Sequence, residues 1–204
     1  MLYWVTMPRW IRKLYPGCIW EMPRNSKKIY LTFDDGPHPE ITPYVLEMLK
    51  RYNAKATFFC IGKNVQAHPE LYDRILEEGH SVGNHTYSHL NGWKSGCPEY
   101  LADIAEARRW IKSVLFRPPY GRIKRSQLTQ IRKEGYKPVM WNVLSADFDK
   151  RLRPEDCIRN VTGSAGPGAV IVFHDSEKAW PRLEKTLPAV LEYYSKAGYS
   201  LDRI

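Results

Sequence analysis

The amino-acid sequence predicts an α/β fold on a parallel sheet, either closed as a barrel or open and doubly wound. Three observations lead there. Strand-like and helix-like segments alternate about six times along the chain. The ionisable residues that interrupt the apolar pattern fall at strand ends, the rim where parallel α/β folds carry their sites. The 204 residues, 43% hydrophobic and 26% charged, suit one ordinary domain with its own core. That composition excludes a disordered tail, a collagen-like fibre and a small staple-dependent domain.

The first 26 residues lack a clean period, and WIRKLYPGCIWEMP is aromatic and broken by prolines. The expectation is an extension (1–26) packed on a domain spanning 27–204, with a membrane-proximal or partner-binding piece as the alternative. KIYLTF (28–33) is rich in β-formers and ends in Asp-Asp-Gly-Pro. Residues 40–51 place Val45, Leu46 and Leu49 on one helical face. KATFFCI (55–61) reads as a strand, and Pro69 to Glu78 as a helix stopped by Gly79. HSVGNH (80–85) is a short strand, Pro98 to Val114 a helix, and LFR (115–117) a strand running into Pro118 and Pro119. A helix over 124–134 closes at Gly135, and PVMWNVL (138–144) is a strand with Trp141 in the core. A short helix from Pro154 to Thr162 precedes the apolar strand AVIVFH (169–174). A helix from Pro181 to Lys196 and a terminal strand in YSLDRI complete the series. There is no glycine-rich dinucleotide fingerprint, P-loop or internal repeat.

The formal charge of +9, from 31 basic and 22 acidic residues, favours an anionic partner. The excess is spread along the chain and no helix carries a dense basic stripe, which argues against nucleic acid. No run reaches the ~20 apolar residues of a membrane span. MLYWVTMP at the start is not a complete signal peptide. As written the chain therefore shows no export route; a missing signal would place it in the envelope or outside the cell. Cys18, Cys60, Cys97 and Cys157 are widely spaced without a CxxC, which disfavours a structural zinc site, and Cys60 reads as a buried thiol.

Asp34 and Asp35 end the first strand, His85 the third and Arg117 the fourth; Asp147 follows the fifth, and His174 and Asp175 end the sixth. Any one of these fits a structural role such as a helix cap, but the set at one rim does not. His85 and His89, with one aspartate of the bent Asp34-Asp35 pair, make a facial set for Zn²⁺, Ni²⁺, Co²⁺ or Fe²⁺. The other aspartate then remains free as a base. Three protein ligands leave positions open, the catalytic rather than the structural arrangement, suited to hydrolysing an unreactive carbonyl compound. His174 is a natural general acid, Arg117 can hold a carboxylate, and Asp147 can orient an imidazole.

TFDDGP (32–37), HTYSH (85–89), RPPYG (117–121), the segment around Asp147 and FHD (173–175) resemble the five motifs of the polysaccharide deacetylase family. This is the NodB-homology group, carbohydrate esterase family 4, and the resemblance runs from about Lys28 to Lys196. It implies a distorted (β/α)7 barrel, similar to a TIM barrel. It also implies a metal-dependent hydrolase that removes acetyl groups from polysaccharides. By the resemblance Asp34 is the base; Asp35, His85 and His89 bind one divalent ion, Zn²⁺ with Co²⁺ or Ni²⁺ as alternatives. Arg117 would hold Asp34, the Tyr120 N–H would stabilise the oxyanion, and Asp147 would pair with the acid His174. Two positions depart from the family pattern. Phe148 stands for a tryptophan and Phe173 for a leucine, both expected beside Pro119 in the wall of the acetyl pocket. In the loop NGWKSG (91–96), Trp93 either stacks on a sugar or covers the rim, and Lys94 can meet an acidic group. The expected substrate is an N-acetylated aminosugar polymer, with peptidoglycan N-acetylglucosamine favoured by charge, and the protein is expected as a monomer. The alternatives are a chitooligosaccharide deacetylase, an acetyl-xylan-type O-deacetylase and a glycan-binding protein on the same barrel. A two-metal nuclease is disfavoured, because it would usually need more carboxylates.

Overall fold

The computed structural model describes residues 3–204. Its strands are β1 (Lys28–Asp34), β2 (Thr57–Cys60), β3 (Ser81–Asn84), β4 (Leu115–Phe116), β5 (Lys137–Pro138), β6 (Val143–Leu144), β7 (Val170–His174) and β8 (Ser200–Asp202). The helices are α1 (Arg9–Leu14), α2 (Ile41–Arg51), α3 (Gly62–Ala67), α4 (Pro69–Glu77), α5 (Cys97–Arg108), α6 (Arg125–Lys133), α7 (Pro154–Thr162) and α8 (Trp180–Lys196). The strands form one parallel sheet in the order β5-β4-β3-β2-β1-β7-β6. β8 lies parallel to the first half of β1, on the edge whose second half pairs with β2. The sheet curls with helices outside it, a distorted (β/α)7 barrel as expected.

The expected strand over 138–144 is the one that breaks. Lys137–Pro138 pairs with β4 and Val143–Leu144 pairs with β7, at opposite ends of the sheet. One chain segment therefore spans the gap and closes the barrel without a continuous ladder. Trp141 is half-buried in this link rather than inside a strand. The extension supplies backbone partners that the link lacks. Leu144 N–H donates to the Val5 carbonyl (2.8 Å), Ile19 N–H to Pro138 (2.8 Å) and Met140 N–H to Ile19 (2.7 Å). An unpaired buried backbone group would cost free energy, so this contact is a structural need of the broken strand.

Two cores follow from the two faces of the strands. Outside the sheet, Leu31, Phe33, Phe58 and Phe173 pack with Val45, Leu46, Leu187 and Leu191 of α2 and α8. Inside it, Tyr30, Phe59, Val139 and Val170 fill the barrel. Each buried large apolar side chain is worth ~1.5–3 kcal/mol against exposure. The expected helix over 98–114 ends early, at Arg108. The chain turns so that Ile111 buries, while Tyr72 Oη accepts from Lys112 N–H (3.0 Å) and Ser113 Oγ donates to the Val82 carbonyl (2.6 Å). α3 has no counterpart in the sequence reading; its six residues are too short for a clear period. Cys60 is a buried thiol, and none of the four cysteines is bonded to another.

Candidate active site

The end of β1 bends immediately after its last residue. Asp34 still pairs in the ladder, while Asp35 lies in the left-handed region at φ 81°. The bend lets two neighbouring carboxylates serve one site, where a straight strand would send them to opposite faces. Asp175 holds it in place: its Oδ1 accepts from Gly36 N–H (3.1 Å) and its Oδ2 from Thr42 Oγ1 (2.5 Å). A Cβ on Gly36 would collide with that carboxylate, so only glycine fits. Burial and the neighbouring Asp35 push the Asp175 carboxyl up, to about 8. Asn64 Nδ2 donates to the Asp35 carbonyl (2.7 Å), a second tether on the bend.

The loop after β3 carries the histidines. α3 organises it through Gly62 N–H to the Thr86 carbonyl (2.9 Å) and Lys63 N–H to Tyr87 (3.1 Å). From α5, Asp103 accepts from Tyr87 N–H (2.9 Å), Ser88 N–H (3.1 Å) and Ser88 Oγ (2.8 Å). Thr86 and His89 have φ of 64° and 60°, and Tyr120 and Ala146 are left-handed too. Of the six such non-glycine residues among the described residues, Asn53 alone lies away from these site loops. Each costs of order 1–3 kcal/mol, and such strain gathers where function requires it.

His85 is fully enclosed, and its Nδ1 sits 2.8 Å from the Arg117 carbonyl. A carbonyl only accepts, so Nδ1 carries the proton and Nε2 is a free lone pair. Burial lowers this imidazole to about 4, which keeps it neutral and able to ligate. Its Nε2 faces Asp35 Oδ1 at 3.7 Å, and His89 Nε2 faces the same oxygen at 3.2 Å. That oxygen is buried without a hydrogen-bond partner. The three ligand atoms lie within 4.8 Å of one another. An orphaned carboxylate oxygen opposite two imidazole nitrogens, one of them the free lone pair of His85, fits a divalent cation. Burial opposes ionisation of Asp35, but His89, His174 and His85 more than reverse it and hold its carboxyl well below the usual range.

Arg117 is completely buried inside the barrel. Its guanidinium donates to Asp34 Oδ1 (2.7 Å), Thr32 Oγ1 (2.6 Å) and the carbonyls of Val139 (3.1 Å) and Met140 (2.9 Å). The last two belong to the strand-breaking link, so one residue both holds Asp34 and caps the gap. Phe59 lies under the guanidinium at 4.0 Å. Across the site, Asp147 Oδ1 is 2.7 Å from His174 Nδ1, and its Oδ2 accepts from His174 N–H (2.8 Å). Burial would lower His174, but Asp147, with help from Asp35 and Asp34, raises it to about 9. Tyr120 and Pro119 sit in a 3₁₀ turn whose bonds run from Gly121 to Pro118 (2.9 Å) and from Arg122 to Pro119 (3.0 Å). Those bonds do not use the Tyr120 N–H, and the Tyr120 ring packs on His89 at 4.6 Å.

One expected residue is misplaced by the sequence reading. Phe173 stacks on Phe33 (5.8 Å) in the outer core and faces the helices, not the pocket. Side chains alternate along a strand, so the residue sharing the face of His174 is Val172. Val172 packs with Leu144, Ala146, Phe148, Trp141 and Tyr3 beside the site. Phe148 meets His174 edge-on at 5.3 Å. Tyr3 packs on Phe148 (5.5 Å) and donates to Asp149 Oδ2 (2.8 Å), so the extension reaches the back of this wall. Trp93 is 55% exposed on the rim, its Nε1 donating to the Ile123 carbonyl (3.2 Å). Asp103 and Asn64 carry no signal in the sequence, since each is a single polar residue inside a helix; Thr32 opens the TFDDGP motif, but its bond to Arg117 depends on the fold.

A family model described as polysaccharide deacetylase matches residues 21–139. The chain is 37% identical over 186 residues to a peptidoglycan-N-acetylglucosamine deacetylase of Bacillus cereus, covering 88% of this chain and 87% of that one. It is 36% identical over 159 residues to a chitooligosaccharide deacetylase of Azorhizobium caulinodans, covering 74% and 75%. Among solved structures, the Bc1960 peptidoglycan N-acetylglucosamine deacetylase superposes with a TM-score of 0.87 at 32% identity, covering 97% and 95%. The peptidoglycan deacetylase PdaC of Bacillus subtilis superposes with a TM-score of 0.80, also at 32% identity, covering 90% of each chain.

Proposed function

The chain belongs to the polysaccharide deacetylase family, and on that premise we propose that it hydrolyses the N-acetyl group of N-acetylglucosamine in peptidoglycan. The enzyme class follows from the family. The substrate rests on the relatives named for peptidoglycan and on the charge of +9, which suits a polymer bearing carboxylates. Chitooligosaccharide is the neutral alternative. The observation that carries the reading is the meeting of Asp34, Arg117, His174 and Asp147 around the Asp35, His85 and His89 triad.

Asp35, His85 and His89 would hold one divalent ion, for which we favour Zn²⁺ over Co²⁺ or Ni²⁺. Bound there, it would supply Lewis-acid polarisation of the amide and lower the pKa of the attacking water. Asp34 takes the proton of that water as its oxygen bonds to the acetyl carbon. Arg117 fixes Oδ1 of Asp34, and no other hydrogen bond among the described residues claims its second oxygen. The Tyr120 N–H is free to donate to the carbonyl oxygen as charge grows on it. His174 is oriented through Nδ1 by Asp147, so its Nε2–H gives a proton to the departing nitrogen as the C–N bond breaks. Acetate and a free amine result. Phe148 and Val172 are assigned to the acyl wall, with Pro119 beside them and Trp93 as an outer sugar contact.

We take 27–204 as the catalytic unit acting as a monomer, with 1–26 as an extension closing the barrel, supported by the backbone bonds described above. A peptidoglycan substrate would require work at the cell envelope. The test is acetate release from N-acetylated peptidoglycan fragments and chitooligosaccharides. Chelation is expected to abolish release and Zn²⁺, Co²⁺ or Ni²⁺ to restore it. Full turnover by protein shown metal-free by elemental analysis would refute the reading.

A further inference from the structure

Two cations flank the site with no acidic partner. The Arg122 guanidinium lies 5.2 Å from the centre of the Trp93 ring, and the Lys178 ammonium 5.2 Å from that of Phe148. Neither forms an ion pair among the described residues. Both stand close to the chemistry. Arg122 follows Tyr120, whose ring packs on the metal-site residue His89 at 4.6 Å. Phe148 carries Lys178 on one side and meets His174 at 5.3 Å. The turn bearing Lys178 is tied down, since Arg182 donates both to the Lys178 carbonyl and to the Asp147 carbonyl.

A surface lysine or arginine normally keeps its rotamer freedom and its full hydration. Resting on an aromatic face restrains it, so less freedom is lost when an anion arrives. Some surface cations are paired locally, as Arg151 is with Asp149 and Lys28 with Asp202, and are less free to take a ligand anion. Among the described residues Arg122 and Lys178 are unpaired and each rests on an aromatic ring, one on Trp93 near the Tyr120 turn and one on Phe148 beside His174. A guanidinium fork and an ammonium so placed suit carboxylates, which the fork can take by two parallel hydrogen bonds.

We propose that Arg122 and Lys178 select aminosugar glycans that carry a carboxylate on the residue next to the reacting acetamido group. This rests on the deacetylase reading of the site and names the substrate feature that the site would read. The two side chains are specificity residues; neither touches the bonds that change.

The experiment uses three probes with metal-loaded enzyme: a tetrasaccharide of alternating N-acetylglucosamine and N-acetylmuramic acid, its methylamide in which the carboxyls are neutral, and chitotetraose. Wild type is expected to favour the acid over the methylamide in kcat/KM by about tenfold at low salt, the scale of one charge-assisted contact. Raising the ionic strength should shrink the preference, because exposed charges are screened. The Arg122→Gln/Lys178→Gln variant should bring the acid-to-amide ratio close to one while still releasing acetate from chitotetraose. Equal kcat/KM for acid and amide in wild type would overturn the proposal. So would a double variant that lowers all three substrates alike, which would make the two residues structural. No acetate from any probe would overturn the deacetylase reading itself, which separates that failure from this one.

Discussion

Asp34 and Asp35 are neighbours with opposite surroundings. Asp34 is gripped by a buried arginine, whereas Asp35 points a bare oxygen at two imidazoles. Asp34→Asn is therefore expected to keep metal affinity and lose most turnover, since the shape stays and the base goes. It should also lower stability, because Arg117 loses the charge that balances it in the barrel; breaking a buried pair costs ~3–5 kcal/mol. Asp35→Asn is expected to weaken metal binding instead. Titration calorimetry of both variants decides it, and equal loss of affinity would end the division of labour. His174 is the other residue for which we propose a specific task, that of general acid. General acid help is worth ~10²–10⁴-fold, and an amine leaves poorly without it. His174→Ala is expected to slow N-acetyl substrates far more than activated aryl esters. An unchanged amide-to-ester ratio in kcat/KM, with metal occupancy confirmed, would remove the acid role. The proton on His174 is held up to about 9 by Asp147, against burial. Activity needing that proton is present below the folded value and falls as pH rises through it. A cation on Asp35 cancels part of the field that raises His174, so in loaded enzyme the limb should lie below 9. Asp147→Asn should move it lower still, read from the pH dependence of kcat/KM.

At the scale of elements, the meeting of Asp35, His85 and His89 depends on α3 and α5 as much as on the strands. The histidine loop has two left-handed residues, Thr86 and His89, and would not hold that shape alone. The α3 amides take two of its carbonyls, and Asp103 takes two of its amides. Asp103→Ala leaves those amides without their partner, at ~1–3 kcal/mol each where water cannot replace it. The expected result is a metal affinity at least about tenfold weaker, the scale of losing a partner behind a ligand, with the barrel still folded. Metal titration with circular dichroism reads both. Affinity equal to wild type would show that the loop orders itself.

At the scale of the molecule, the closing segment 137–144 and the extension depend on each other. Residues 5, 7 and 19 exchange backbone hydrogen bonds with 138, 140, 142 and 144, and Met22 N–H donates to Gly168 (2.8 Å). Removing residues 1–22 would forfeit these five bonds, each worth ~0.5–1.5 kcal/mol net, and bare Trp141 and Met140. A loss of about 3 kcal/mol or more corresponds to a Tm lower by roughly 6–12 °C for a chain of this size. Truncation should also disturb the acyl wall, since Tyr3 supports Phe148. A thermal melt unchanged on truncation would show that the link is self-sufficient.

The sequence by itself determined the alternation of strands and helices, the parallel sheet and the rim residues Asp34, Asp35, His85, His89, Arg117, Asp147 and His174. It could do so because strand ends, apolar periods and short motifs are local, and each is written in consecutive residues. The structure decided what depends on distance in space. The segment 138–144 is apolar but for Asn142, and one polar residue does not mark a break; the break comes from closing a seven-stranded sheet and is made good by Arg117 and residues 5–19. The face of Phe173 was decided by its partner strand, because an unbroken apolar run hides the alternation that would separate it from Val172. The supporting roles of Asp103, Asn64 and Asp175 arise from loops meeting helices and one another across 15 to 139 residues of chain. No sequence period encodes such a meeting; only the packed barrel brings those groups together.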